Sequence, residues 1–203
     1  MASVSEADLL EVLHYWSFWD STPSPAVHRR VQLPEGLDRE LALVIQGVRR
    51  SGKSTLLGQL LERYHLVPGH CAFVNFEDPR LIPYLDNRIL FQIVDLFAAR
   101  NSGVSDLTFF FDEVQNVPQW ESFLHTQLER PRHRFVITGS NAALLSGELS
   151  TKLTGRHRLA ELYPFDFLEA CEARPGIDSR TYLTEGGFPK VVLTDGDLTL
   201  RQQ

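Results

Sequence analysis

Cysteine is scarce in this chain. Cys71 and Cys171 are the only two, a hundred positions apart and without a CxxC partner. That spacing excludes a disulfide framework and reads both as buried thiols rather than as a metal or redox site. Long apolar runs are missing too, since no stretch approaches the roughly 18 residues that span a bilayer. The opening MASVSEADLLEVLHYWSFWD is acidic and aromatic, without the basic start and apolar centre of a signal peptide. A cytoplasmic protein with no membrane partner is expected. Nor is there an excess of positive charge: 20 Lys plus Arg face 26 Asp plus Glu, a net charge of -6. This excludes a surface that grips nucleic acid all over, while leaving room for a local basic groove. There is no internal repeat and no low-complexity tract. What remains is an ordinary globular composition, 203 residues with 43% apolar and 23% charged, long enough to bury a full core.

Hydrophobic patterning predicts a helix over 6–18, with Leu9, Leu10, Val12, Leu13 and Trp16 at helical spacing. STPSPAV then interrupts it with two prolines. Short apolar runs predict strands at 41–47, 71–78, 107–113, 134–140 and 157–162. Helices are expected over 53–64, 87–100, from Pro118 to about Arg130, and over 141–150, with helices and loops in the last forty residues. Nearly all-apolar strands alternating with helices predict an α/β fold, a parallel sheet with helices on both faces.

Gly47-Val48-Arg49-Arg50-Ser51-Gly52-Lys53-Ser54 fits G-x-x-x-x-G-K-[ST] at every fixed position, between a predicted strand and a predicted helix. Gly47 and Gly52 let the backbone curl so that successive N–H groups converge on phosphate oxygens. The following helix presents its positive end to the same anion. Lys53 is placed to reach the β- and γ-phosphates, Ser54 to help hold Mg2+, and Thr55 to touch the α-phosphate. Arg50 and Ser51, inside the loop, join the candidate nucleotide contacts; Arg49 and Arg50 read equally as surface charges or as contacts to a neighbour.

LTFFFDEVQ ends a predicted strand in Asp112 and Glu113. A carboxylate at that end sits on the rim where open α/β sheets bind ligands. Asp112 is the candidate for Mg2+ and Glu113 for polarising the attacking water; the competing reading is a pair of acids capping a helix. Ser140 and Asn141, after the next strand, are candidates for sensing the γ-phosphate, with Ser140 also readable as a helix N-cap. Arg156 precedes the last strand and is the candidate for a finger reaching a neighbouring subunit's nucleotide, with Arg158 as its substitute. Such fingers are worth about 10³–10⁵ in rate.

GVRRSGKSTLL, NFEDPR, FFFDEVQNVPQW, VITGSNAALLS, LTGRHRLAELYPFDFLEA and YLTEGGFPKVV occur in this order. Together they resemble prokaryotic AAA-domain ATPases of the AAA+ superfamily, over about residues 30–193. The resemblance implies a P-loop NTPase three-layer sandwich, a five-stranded parallel sheet of order 5-1-4-3-2, with ATP and Mg2+ as ligands. It carries over the roles of Lys53, Ser54, Asp112 and Glu113, and less directly those of Ser140, Asn141 and Arg156. Such proteins usually carry a further C-terminal domain of unknown function. The expected organisation is an N-terminal helical extension (1–30), the ATPase core (31–163) and a helical segment (164–203) that starts a truncated or separately supplied region. The function this implies is Mg-dependent ATP hydrolysis acting on a partner protein or on DNA, in a homo-oligomer or with a partner. The alternatives are an ATP-dependent assembly scaffold with incidental turnover, and a small-molecule kinase, against which stand the paired acids and the lack of an arginine-rich lid. The basic runs at 129–134 and 155–158 are the candidate DNA contacts, or else solvated faces.

Overall fold

Strands apolar on both faces need cover on both faces, and the chain supplies it. The structure is a computed structural model that describes residues 4–17, 27–140, 153 and 155–194. Five parallel strands, β1 (Ala42–Gly47), β2 (Cys71–Asn75), β3 (Thr108–Asp112), β4 (Arg134–Gly139) and β5 (His157–Leu162), lie in the order β2-β3-β4-β1-β5. This is the order 5-1-4-3-2 read from the other edge, so the doubly covered parallel sheet implied by the motifs is borne out.

Alternation along the strands sorts side chains between two cores. Phe109, Phe111, Phe135 and Ile137 join a core with α1 (Glu6–Trp16), α3 (Asn87–Arg100) and α4 (Trp120–Glu129). Phe110, Val136, Leu43 and Ile45 face the other way, onto Leu56, Leu57, Leu60 and Leu61 of α2 (Lys53–Arg63). A third cluster, Val27, Phe165, Ala170 and Val192, lies under α5 (Phe167–Ala173), α6 (Ser179–Glu185) and α7 (Pro189–Leu193). Helix α1 covers edge strand β2: Trp16 packs on Phe73 at 6.0 Å, and its Nε1 donates to Asp78 Oδ2 at 2.7 Å.

Several elements are shorter than patterning suggests, because the backbone turns at named residues. Strand β3 stops at Asp112, as Glu113 adopts φ 54°, in the left-handed region. Strand β2 stops at Asn75, whose Oδ1 accepts the Glu77 N–H at 2.7 Å and closes a turn. Helix α4 begins at Trp120 rather than Pro118 because Gln119, at φ 60°, caps it in the left-handed region. The expected helix over 141–150 and the candidate Asn141 lie outside the described residues. Among the described residues no helix is long and apolar enough to cross a membrane.

Candidate phosphate-binding site

The parallel register brings the carboxyl ends of β1, β2, β3 and β4 to one rim. Between β1 and α2 the chain makes the loop Gly47–Lys53. Gly47 is obligatory for space, since a Cβ there would collide with the Leu162 carbonyl oxygen on neighbouring β5. Gly52 is obligatory for conformation, at φ 96° as N-cap of α2. An open cleft of about 630 Å³ lies over this loop. Arg49, Arg50, Ser54 and Thr55 line it from the loop side, Asn75, Asp112 and Glu113 from the strand ends, and Pro189, Lys190 and Leu193 from α7.

Lys53 is buried and its Nζ meets three acceptors: the carbonyl oxygens of Gly47 at 3.1 Å and Val48 at 3.4 Å, and Glu113 Oε1 at 3.0 Å. The other Glu113 oxygen accepts Gln115 Nε2 at 2.6 Å. Thus the two residues expected to handle the γ-phosphate and the water hold each other. Asp112, 1% exposed, is packed with donors. Ser54 Oγ donates to Oδ2 at 2.6 Å, Asn75 Nδ2 to the same oxygen at 3.2 Å, and Thr138 Oγ1 to Oδ1. Thr138 Oγ1 also accepts the Glu113 N–H at 3.1 Å, so one hydroxyl fixes the turn between the two acids. Burial pushes the Asp112 carboxyl above its ordinary range, more than the Ser54 and Thr138 hydroxyls pull it back, and the Glu113 charge adds to the rise.

A divalent hard cation fits this donor set. The Asp112 carboxylate and Ser54 hydroxyl present oxygens side by side, 2.6 Å apart. Among the described residues no group of three or more His, Cys, Asp or Glu could enclose a metal. One or two protein oxygens, completed by phosphate and water, is how Mg2+ is usually held. The Ser51 hydroxyl, inside the loop, is buried without a hydrogen-bond partner.

Of the sequence candidates, Gly47, Ser51, Gly52, Lys53, Ser54, Asp112 and Glu113 converge here. Arg50 is exposed on the crest of the loop at φ 68°, Thr55 faces the cleft, and half-buried Ser140 follows β4 at the same rim. Arg156 and Arg158 do not join them. Ala42 pairs with His157 and Gly47 with Leu162, so both arginines lie at the opposite end of β5, about 13 Å (Arg158) and about 20 Å (Arg156) of strand from the loop. The run at 129–134 is likewise at the amino end of the sheet, with Arg134 ion-paired to Asp106 at 2.7 Å. Residues that sequence reasoning missed are Asn75, Thr138, Gln115 and the α7 wall. Asn75 and Thr138 did carry a signal, as polar residues in otherwise apolar strands; Gln115 and Lys190 carried none.

A family model described as "AAA domain" matches residues 39–171. An uncharacterized protein of Haemophilus influenzae is 35% identical over 179 residues, covering 82% of this chain and 44% of that protein. An uncharacterized protein of Methanocaldococcus jannaschii is 33% identical over 169 residues, covering 76% and 37%. The chain therefore spans less than half the length of these curated relatives. The Aeropyrum pernix ORC1 protein, solved in complex with DNA, is similar with a TM-score of 0.49 at 14% identity, covering 100% of this chain and 62% of that one. With the loop, the acidic rim and the matched model covering most of its length, the chain belongs to the AAA-domain family of nucleotide-binding proteins.

Proposed function

We propose that this chain binds Mg-ATP in the cleft and hydrolyses it, as a motor or switch for a partner. The observation that carries the reading is the convergence of Lys53, Ser54, Asp112 and Glu113 on one cleft, as two hydrogen-bonded pairs, Lys53 with Glu113 and Ser54 with Asp112. The loop N–H groups and the α2 terminus hold the phosphate chain, and Lys53 neutralises the γ-phosphate. Ser54 and Asp112 hold Mg2+, which when bound offsets charge on the phosphate oxygens. Glu113 orients a water and accepts its proton as the water oxygen attacks Pγ; the bond from Pγ to the bridging oxygen breaks and ADP leaves. Because Lys53 and Gln115 engage Glu113, a γ-phosphate must draw Lys53 away before the carboxylate can meet the water. Ser140 and Asn141 are placed by sequence to report that event, and Arg156 to complete a neighbouring subunit's site.

A second reading, an ATP-dependent scaffold with incidental turnover, draws support from Arg156 itself, which lies too far along β5 to serve its own site. Phosphate release by the purified chain, with and without DNA, separates the two. Hydrolysis that is lost in Glu113→Gln while nucleotide binding persists supports the enzyme. ATP-driven assembly with no phosphate release supports the scaffold. Hydrolysis by Glu113→Gln at the wild-type rate removes the role given to Glu113.

A further inference from the structure

Arg29 precedes β1 in a segment without regular secondary structure, far from any motif. Its side chain is nevertheless 3% exposed, and every guanidinium nitrogen is used. Nε donates to Glu169 Oε1 at 3.1 Å, Nη1 to the Ser51 carbonyl at 2.6 Å, and Nη2 to the Tyr163 carbonyl at 2.6 Å and Glu169 Oε2 at 3.4 Å. The guanidinium carbon stands 4.9 Å from the centre of the Phe165 ring. Its backbone N–H donates to Gln59 Oε1 on α2 at 3.1 Å. Glu169, 4% exposed, also accepts the Arg30 N–H at 2.5 Å and closes the capping box that starts α5. One buried cation thus joins the segment before β1, the phosphate loop, the turn after β5 and the first C-terminal helix.

A buried ion pair is a poor way to gain stability alone, because desolvation offsets the attraction. What a guanidinium adds over an apolar residue is a rigid fork of donors at fixed angles. Here one prong grips the loop at its most exacting point. In a trans peptide the C=O and N–H point in opposite directions. By holding the Ser51 carbonyl, Arg29 turns the Gly52 N–H to the opposite side of the loop. Gly52 makes room for that grip, since a Cβ there would come within 3.0 Å of Arg29 Nη1. The same guanidinium holds the turn leading to α5, whose neighbour α7 supplies Pro189 and Leu193 to the cleft wall.

We infer that Arg29 is a positioning residue for nucleotide binding: with Glu169 it locks the phosphate loop into its anion-binding shape and ties that shape to the C-terminal helices. The inference rests on the nucleotide reading of the cleft and extends it to two residues outside any motif. Titration calorimetry of the chain with Mg-ATP tests it, comparing wild type with Arg29→Lys and Glu169→Gln. Lysine keeps the charge against Glu169 but cannot reach the Ser51 and Tyr163 carbonyls together. Both variants should bind about tenfold or more weakly at unchanged stoichiometry, the size of a lost charged hydrogen bond. A residue that served folding alone would instead lower the stoichiometry and leave the affinity of the folded fraction as it was, which would overturn the inference. Wild-type affinity and stoichiometry in Arg29→Lys would overturn it as well. Binding absent from wild type would remove the nucleotide reading, whereas wild-type binding with unaffected variants removes only the role of Arg29.

Discussion

Strand β3 holds two kinds of residue within five positions, and they obey opposite physics. Phe109 and Phe111 sit in a ring cluster with Phe123 and Phe135, centroids 5.5 to 6.1 Å apart, where burial is favourable in itself. One step on, Asp112 is as deeply buried, where burial is costly and three donors only partly offset it. A second carboxylate makes the contrast sharper. Asp78, three residues beyond β2, is also covered but lies nearer the surface, against an Arg80 side chain that is 38% exposed; that guanidinium, helped by the Trp16 N–H, holds its pKa at about 2, well below the usual carboxylate range. Burial raises one acid and a bound cation lowers the other. Asp78 fastens α1 through the Trp16 N–H; Asp112 is held by hydroxyl and amide donors at the rim of the cleft.

Substitutions at the rim and in the ring cluster should act on different properties. The largest effect is expected at the site: Glu113→Gln should lower ATP turnover by about 10²–10⁴ while leaving nucleotide affinity near wild type, measured by phosphate release and equilibrium binding. Next, Phe109→Ala opens a cavity in the ring cluster and should cost about 3–5 kcal/mol in urea unfolding. Its residual folded fraction should still bind nucleotide, because the rim polar groups are untouched.

Acid unfolding tests Asp78. Its folded pKa lies below the unfolded value of 3.8, so its contribution is complete above about 4 and is lost as pH falls toward about 2. Screened by solvent at the half-exposed Arg80, that contribution is on the order of 1 kcal/mol. Asp78→Asn should remove this part of the slope and lower stability at pH 7 by a similar amount. Asp112 has the opposite sign: its folded pKa lies above the unfolded value of 3.8, so a contribution that is complete below 3.8 is lost as pH rises from there through the folded value. Asp112→Asn should therefore unfold within about 1 kcal/mol of wild type near neutrality. It should also lose most of the thermal stabilisation by Mg-ATP, which at a hundredfold excess over Kd is about 2.7 kcal/mol in wild type. A strongly destabilised Asp112→Asn would mean that the carboxylate is structural after all.

Much of the fold and of the site's floor is legible in the amino-acid sequence. The loop from Gly47 to Ser54, the acids at 112 and 113 and the alternation of strands and helices are patterns a few residues long, set by backbone conformation and burial period, and the parallel sheet follows from them. Other features are hidden because nothing local marks them. The Thr138 hydroxyl reaches Asp112 across 26 positions and the Asn75 amide does so across 37, contacts that exist only once the register of β2, β3 and β4 is set. The pairing of Lys53 with Glu113 depends on Glu113 turning back at φ 54°, a conformation its side chain does not request.

The amino-acid sequence by itself thus determined the chemistry available: a loop of the G-x-x-x-x-G-K-[ST] pattern, a hydroxyl and a carboxylate of the kind that Mg2+ takes, and a second carboxylate beside them. Tertiary structure alone decided how those groups are held. It placed Arg29 against Glu169 across 140 positions and set that cation under the phosphate loop. It also paired β5 in parallel with β1, which leaves Arg156, just before β5, at the end of the sheet away from the site in its own chain. The physical reason is range: periodicity and turn chemistry act over a few residues, whereas a buried ion pair or a shared strand end is specified only when distant segments are packed together.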